Sequence, residues 1–260
     1  MRTTLLLAAW AVALAACGSA TEETATTTET EHGETQEASW TYEDPASWGT
    51  VHEEYATCAT GTAQSPINLV RADATVSEDV ALEINWESGP MIIDGAGYNS
   101  DLVAPEGGYI TLEGQRYDFL QVHLHMPSEY AIEGEQPAGD IHFVHANEAG
   151  ELAVIGVFMI EGEPNRALAA AFEEFSAEEG SQTLEGITFD PNALLPETRS
   201  FFRFPGSLTT PPCSEGVNWV FMSEPVTVSA DQIAAYTDLY GNTARPVQPT
   251  GDREILFVER

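Results

Sequence analysis

The chain has 260 residues, 42 of them Asp or Glu against 9 basic ones, for a formal net charge of −33, and every base is an arginine. A surface of that sign repels phosphate backbones and anionic headgroups, which excludes nucleic acid as a partner and charge-driven membrane binding with it. Screening by concentrated salt makes such self-repulsion tolerable, and we read the acid-rich, lysine-free composition as adaptation to a salty medium.

Residues 1–17 read as an export signal. Arg2 gives a positive start, and Leu5 to Ala16 is an uncharged apolar run too short to span a bilayer comfortably. The segment ends Leu14-Ala15-Ala16-Cys17, which resembles the bacterial lipoprotein cleavage box. That resemblance implies cleavage before Cys17, acylation of its thiol, and a protein held at the periplasm or cell surface by lipid alone. Residues 18–39 are rich in Thr and Glu, with no apolar period, so they form a disordered tether. His32 lies in that tether and takes no part in chemistry. What remains, 40–260, is long enough for one domain with a sizeable core. Without Arg2 and the six glutamates of the tether it carries 36 acidic side chains against eight arginines.

Within the domain, short strand-like runs dominate: Ala81–Trp86, Tyr109–Leu112, Phe119–His125, Ile141–Asn147, Leu152–Ile160, Val217–Met222 and Ile255–Val258. Leu152–Ile160 is nearly all apolar and should be a central strand buried on both faces. Helical spacing is scarce. Leu168, Phe172 and Phe175 fall at i, i+4 and i+7, and Ser229-Ala230-Asp231-Gln232 reads as a capping box for a helix that ends at Gly241. The fold class is therefore mainly β with a few short helices (α+β), around a large, mostly antiparallel twisted sheet. With Cys17 lipidated, Cys58 and Cys213 remain, and an even pair in an exported domain suggests one disulfide.

The chemistry-bearing stretch is Gln121-Val122-His123-Leu124-His125-Met126-Pro127-Ser128-Glu129, answered by Gly139-Asp140-Ile141-His142-Phe143-Val144-His145. With a strand period of two, His123 and His125 share one face while Val122 and Leu124 turn to the core. The Gly- and Pro-containing segment from Glu133 to Gly139 can reverse the chain and bring His142 onto the same face. Three imidazoles converging from two rigid strands are the ligand set of a catalytic zinc.

Taken with Trp48-Gly49, Cys58, Gln64-Ser65-Pro66-Ile67, Leu208-Thr209-Thr210-Pro211-Pro212-Cys213, Trp219, Asn242 and Arg245-Pro246, these strands resemble the alpha-class carbonic anhydrases in their bacterial form. The match covers essentially the whole domain in the family's order. It implies Zn2+ on His123, His125 and His142, and reversible hydration of carbon dioxide to bicarbonate by zinc-bound hydroxide, with an esterase side activity. It implies Thr209 as the hydroxyl that orients the attacking oxygen and Glu129 as the carboxylate that fixes the direction of that hydrogen bond. Thr210 follows as a bicarbonate contact, and Val144, Val154, Leu208 and Trp219 as the apolar wall for carbon dioxide. Behind the ligands, Gln121 would serve His123 and Asp140 would serve His142. Asp140 stands where the family usually has Glu, one methylene longer. His145 matches a buried position that is not a ligand. At the position of the family's proton-shuttling His stands Ala96, which cannot titrate; His52 is a weak substitute. His-x-His followed by Glu129 also fits the cupin pattern, with Glu129 as a fourth ligand, but the spacing to His142 is too short and the Thr-Thr-Pro-Pro run would be unexplained.

Overall fold

The structure, a computed structural model, describes residues 40–260. The export signal, the tether and Cys17 lie outside the described residues. In chain order the strands are β1 (Asn68–Leu69), β2 (Thr75–Ser77), β3 (Leu82–Asn85), β4 (Gly89–Gly95), β5 (Ser100–Val103), β6 (Tyr109–Leu112) and β7 (Gln115–His125). They continue as β8 (Ala131–Ile132), β9 (Gly139–Ala146), β10 (Leu152–Glu161), β11 (Gly180–Phe189), β12 (Phe201–Ser207), β13 (Glu215–Val228) and β14 (Leu256–Val258). The helices are α1 (Trp48–Val51), α2 (Thr57–Thr60), α3 (Ala169–Glu174) and α4 (Ala230–Tyr240). No helix among the described residues is long and apolar enough to cross a membrane.

Twelve strands form one sheet in the order β11-β4-β5-β7-β9-β10-β13-β12-β14-β2, with β6 joining β3 to β7. Pairings are antiparallel except β10 with β13 and β14 with β2. At the middle sits β10, buried from Ala153 to Met159, as its unbroken apolar run requires. Each strand there sends alternate side chains to two separate apolar layers. One layer holds Val122, Leu124, Phe143, Ile155, Phe201 and Met222. The other holds Val154, Phe158, Phe202, Trp219 and Phe221. His123, His125 and His142 lie on the face of the second layer.

Helix α4 begins with a reciprocal capping box between Ser229 and Gln232 and stops at Gly241, whose φ of 70° favours a residue without Cβ. The second helical pattern yields only α3, with Leu168 and Phe175 as its caps. Cys58 and Cys213 are joined in a disulfide, which fits an oxidising compartment.

Candidate metal centre

Strands β7 and β9 pair antiparallel with His123 directly opposite His142. That register depends on a bulge. Asp118 and Phe119 oppose Ala146 and His145, then Leu120 is passed over and Gln121 opposes Val144. The extra residue reverses the parity of β7. Phe119 points into the first apolar layer, as do Val122 and Leu124 beyond the bulge, so Gln121, His123 and His125 face the other way. On β9 the same alternation puts His142 and Val144 on the metal face and His145 behind it. There His145 stacks on Phe119 and Trp86, accepts from Trp86 Nε1 at 2.9 Å and donates from Nδ1 to the Ala153 carbonyl at 3.2 Å. Both its nitrogens are engaged, so it is a neutral core residue.

The ligand atoms of His123, His125 and His142 all lie within 4.8 Å of one another. His123 Nδ1 donates to Gln121 Oε1 at 2.9 Å, and His125 Nδ1 donates to the Thr243 carbonyl at 2.6 Å. Each of these rings is thereby left with Nε2 as a lone-pair donor. His142 turns Nδ1 inward, 3.3 Å from His123 Nε2. Two nitrogens each about 2.0–2.1 Å from a tetrahedral zinc stand about 3.3 Å apart, so this edge already fits the ion. His125 Nε2 is buried with no hydrogen-bond partner, as a free ligand atom should be. Burial pushes all three imidazoles below their ordinary pKa, His123 and His142 well below, so the rings are neutral. The donor set therefore fits Zn2+.

Behind His142 the shorter Asp140 matters. Its Oδ2 accepts from Glu129 N at 3.1 Å and Tyr130 N at 3.2 Å, with Ser128 Oγ 3.0 Å away. The same oxygen stands 3.4 Å from His142 Nε2, but that nitrogen has no hydrogen-bond partner. Asp140 thus fastens the Ser128–Tyr130 backbone and falls short of orienting His142. Glu129 accepts from Arg245 N at 3.0 Å, while its other oxygen has no partner of good geometry and lies 3.4 Å from His125 Nε2. Burial, then the charge of Asp140, pushes Glu129 upward, opposed by the Arg245 N–H, by the nearby Thr209 hydroxyl and by the Arg245 charge. Burial likewise raises Asp140, to about 6.

A cleft of about 170 Å³ opens over the three rings. Gln121, Val144, Val154, Leu208, Thr209, Thr210 and Trp219 line it, joined by Tyr42, Tyr98, Asn99 and Asp101. Ala96 stands in the β4–β5 turn, its N–H donating to Asn99 O, and does not line the cleft. His52 is exposed beside Glu54 and does not line it either. Thr243 and Arg245, which hold His125 and Glu129, carry no role in the sequence reading. Both act through backbone atoms, which leave no residue-type signature. The buried Arg245 guanidinium donates to Gln64 Oε1, Ser65 O and Cys58 O. The scarcity of basic residues, 9 against 42 acidic ones, was the available signal for Arg245.

Residues 43–259 match the family described as eukaryotic-type carbonic anhydrase. A carbonic anhydrase of Pectobacterium carotovorum is 35% identical over 226 residues, covering 85% of this chain and 92% of that relative. The alpha carbonic anhydrase of Thermovibrio ammonificans, solved with the inhibitor sulfanilamide, superposes with a TM-score of 0.80 at 35% identity, covering 84% of this chain and 99% of the other. Dioscorin, solved with ascorbate, is also similar, with a TM-score of 0.76, 26% identity, and coverage of 83% and 94%. The chain belongs to the alpha carbonic anhydrase family. It is a carbonic anhydrase enzyme by family and fold, its cofactor is Zn2+, and the cupin alternative falls.

Proposed function

We propose that His123 and His125 through Nε2, and His142 through Nδ1, hold a catalytic zinc that hydrates carbon dioxide reversibly to bicarbonate and a proton. When bound, zinc would supply the Lewis acidity for which carbonic anhydrases are the reference case, lowering the pKa of a coordinated water to about 7. The protein's part is to keep three neutral donors aimed at one point, so that the ion's double charge acts on the fourth ligand undiminished. Gln121 and the Thr243 carbonyl fix the tautomers of His123 and His125. Val144, Val154, Leu208 and Trp219 offer a dry wall to a substrate without charge or strong dipole. Thr209, which lines the cleft, would stand between the reacting oxygen and Glu129. A carboxylate only accepts, so the Thr209 hydroxyl must donate to it and accept from the nucleophile, which aims the attacking lone pair. Thr210, on the cleft lining, would hydrogen-bond the bicarbonate.

The observation that carries this reading is the convergence of three neutral ring nitrogens within 4.8 Å of one another, with one pair, on His123 and His142, at the 3.3 Å spacing of a tetrahedral edge. With no titratable group at Ala96, proton release limits turnover unless buffer assists. Activated esters are open to the same nucleophile, and an esterase side activity follows. Export and a lipid anchor at Cys17 place the domain outside the cytoplasm, and the acid-rich surface suits a salty medium. Stopped-flow carbon dioxide hydration on the purified protein tests the reading. Activity should vanish with a strong chelator, return with zinc alone, and be blocked by sulfanilamide, which the Thermovibrio relative binds. Hydration that survives complete zinc removal would refute it.

A further inference from the structure

A second cavity, of about 660 Å³, lies across the sheet from the metal centre. Phe201 and Met222, paired on β12 and β13, lie buried directly beneath its floor. Both belong to the first apolar layer, whereas their neighbours Phe202 and Phe221 lie in the second, with the cleft residues Val154 and Trp219. The cavity is therefore on the opposite face and shares no lining residue with the metal cleft. Its volume falls in the range of small-molecule sites, roughly 300–1,000 Å³.

Its chemistry is two-sided. Leu82 and Ile84 of β3, both half-buried, are the apolar floor, with the buried Phe201 and Met222 beneath them, and Arg199 and Arg260 stand on the rim. Arg199 has no hydrogen bond or ion pair among the described residues, and partial burial lowers its pKa. The Arg260 guanidinium donates one bond, to the Val80 carbonyl at 2.8 Å, and lies 5.9 Å from the Phe201 ring. Glu197 also lines the cavity and pairs with neither arginine. Elsewhere Arg116 and Arg203 each find a carboxylate, on Asp118 and Glu113. The guanidinium groups of Arg199 and Arg260 stand exposed on the rim, neither paired with a carboxylate, beside an apolar floor, and that is a place for an anion from outside.

We propose that this cavity binds a small organic monocarboxylate, its carboxylate on Arg199 and Arg260 and its apolar body on Leu82 and Ile84, with Phe201 and Met222 buried just beneath. The strongly negative field of the protein taxes each extra ligand charge, which favours a monoanion over a phosphate ester. The floor favours a ligand with a hydrocarbon body over a bare anion.

Methionine-methyl NMR on the full, zinc-loaded chain tests this directly, because the sequence has only five methionines. Met222 reports the cavity, and Met126, next to His125, reports the metal centre. Titration with phenylacetate in low salt should shift the Met222 methyl saturably and leave Met126 in place. Arg199→Gln, at an exposed side chain with no bonds to lose, should weaken binding at least about tenfold, and so should replacing the probe by benzyl alcohol or by acetate. The proposal is overturned if Met222 shows no saturable shift by about 10 mM phenylacetate, a concentration well above the weakest useful affinity. It is equally overturned if Arg199→Gln or benzyl alcohol binds as tightly, or if Met126 is the methyl that moves.

Discussion

Gly156→Ala separates two physical effects of opposite sign. Gly156 sits mid-way along β10, paired with His142 on one side and Phe221 on the other. By backbone entropy alone, replacing a mid-strand glycine with alanine should stabilise by about 0.5–1 kcal/mol. Packing says otherwise. An added Cβ would overlap the Phe221 ring, with even Cζ only 2.7 Å away, where ordinary contact begins at 3.4 Å. The ring has nowhere to go: its centroid is 4.3 Å from that of Phe158, 4.6 Å from that of Tyr130 and 6.2 Å from that of His142. Overpacking of a boxed core side chain costs about 1–3 kcal/mol, so the net expectation is a loss of about 1–2 kcal/mol. Displacement of Phe221 toward His142 should also weaken zinc about tenfold, as disturbed support of a ligand does. Urea unfolding midpoints at unchanged slope, and zinc competition against a chelator, measure the two effects. Phe221→Leu in the same chain should recover part of both, with a coupling of at least about 0.5 kcal/mol. A Gly156→Ala protein as stable as the parent, with unchanged zinc affinity, would refute the packing argument.

Three further outcomes follow from the structure. Burial lowers the His145 pKa to about 3, against an ordinary value of about 6.5, so between those values the unfolded chain binds a proton that the folded one refuses. This share of stability is complete above about pH 6.5 and is lost as pH falls, by about 1.4 kcal/mol per unit, so it costs about 2 kcal/mol at pH 5. Urea titrations of the parent and of His145→Gln should differ in slope by that amount, and parallel curves would exclude it. The Cys58–Cys213 bridge spans 155 residues, and closing a loop of that length stabilises by about 5 kcal/mol in the chain-entropy model. The double Cys58→Ser, Cys213→Ser variant should lose at least about 2 kcal/mol of that in denaturant. Carbon dioxide hydration in dilute, non-basic buffer should rise with added imidazole and with Ala96→His. If neither raises the rate, proton release is not limiting.

The site was legible where side-chain chemistry and a period of two coincide. His123 and His125 on one face, with Val122 and Leu124 on the other, can be read from the residues alone. So can the buried run of β10 and the Ser229–Gln232 cap. The register that sets His123 against His142 was not legible, because it turns on the bulge at Leu120, and one inserted residue reverses every face before it. Strand β11 escaped notice because nearly all of it is exposed on both faces, so no alternation marks it. Strands β4 and β12 contain Gly and Pro, which mask a strand signal. The stretch after Gly241 has no period at all, yet it supplies the carbonyl on His125 and the N–H on Glu129. The loss of reach at Asp140 was foreseeable in kind. Its alternative employment, tying down the Glu129 and Tyr130 amides, required coordinates.

His142→Ala bears most directly on the central claim, because it removes one nitrogen of the trio and leaves both β7 ligands in place. Zinc per chain and the carbon dioxide hydration rate should be measured on the same preparation, with circular dichroism as a check that the sheet is intact. The account predicts that a folded variant fails to retain stoichiometric zinc through dialysis and hydrates carbon dioxide no faster than the buffer. A folded variant with full zinc and the parent rate would contradict it.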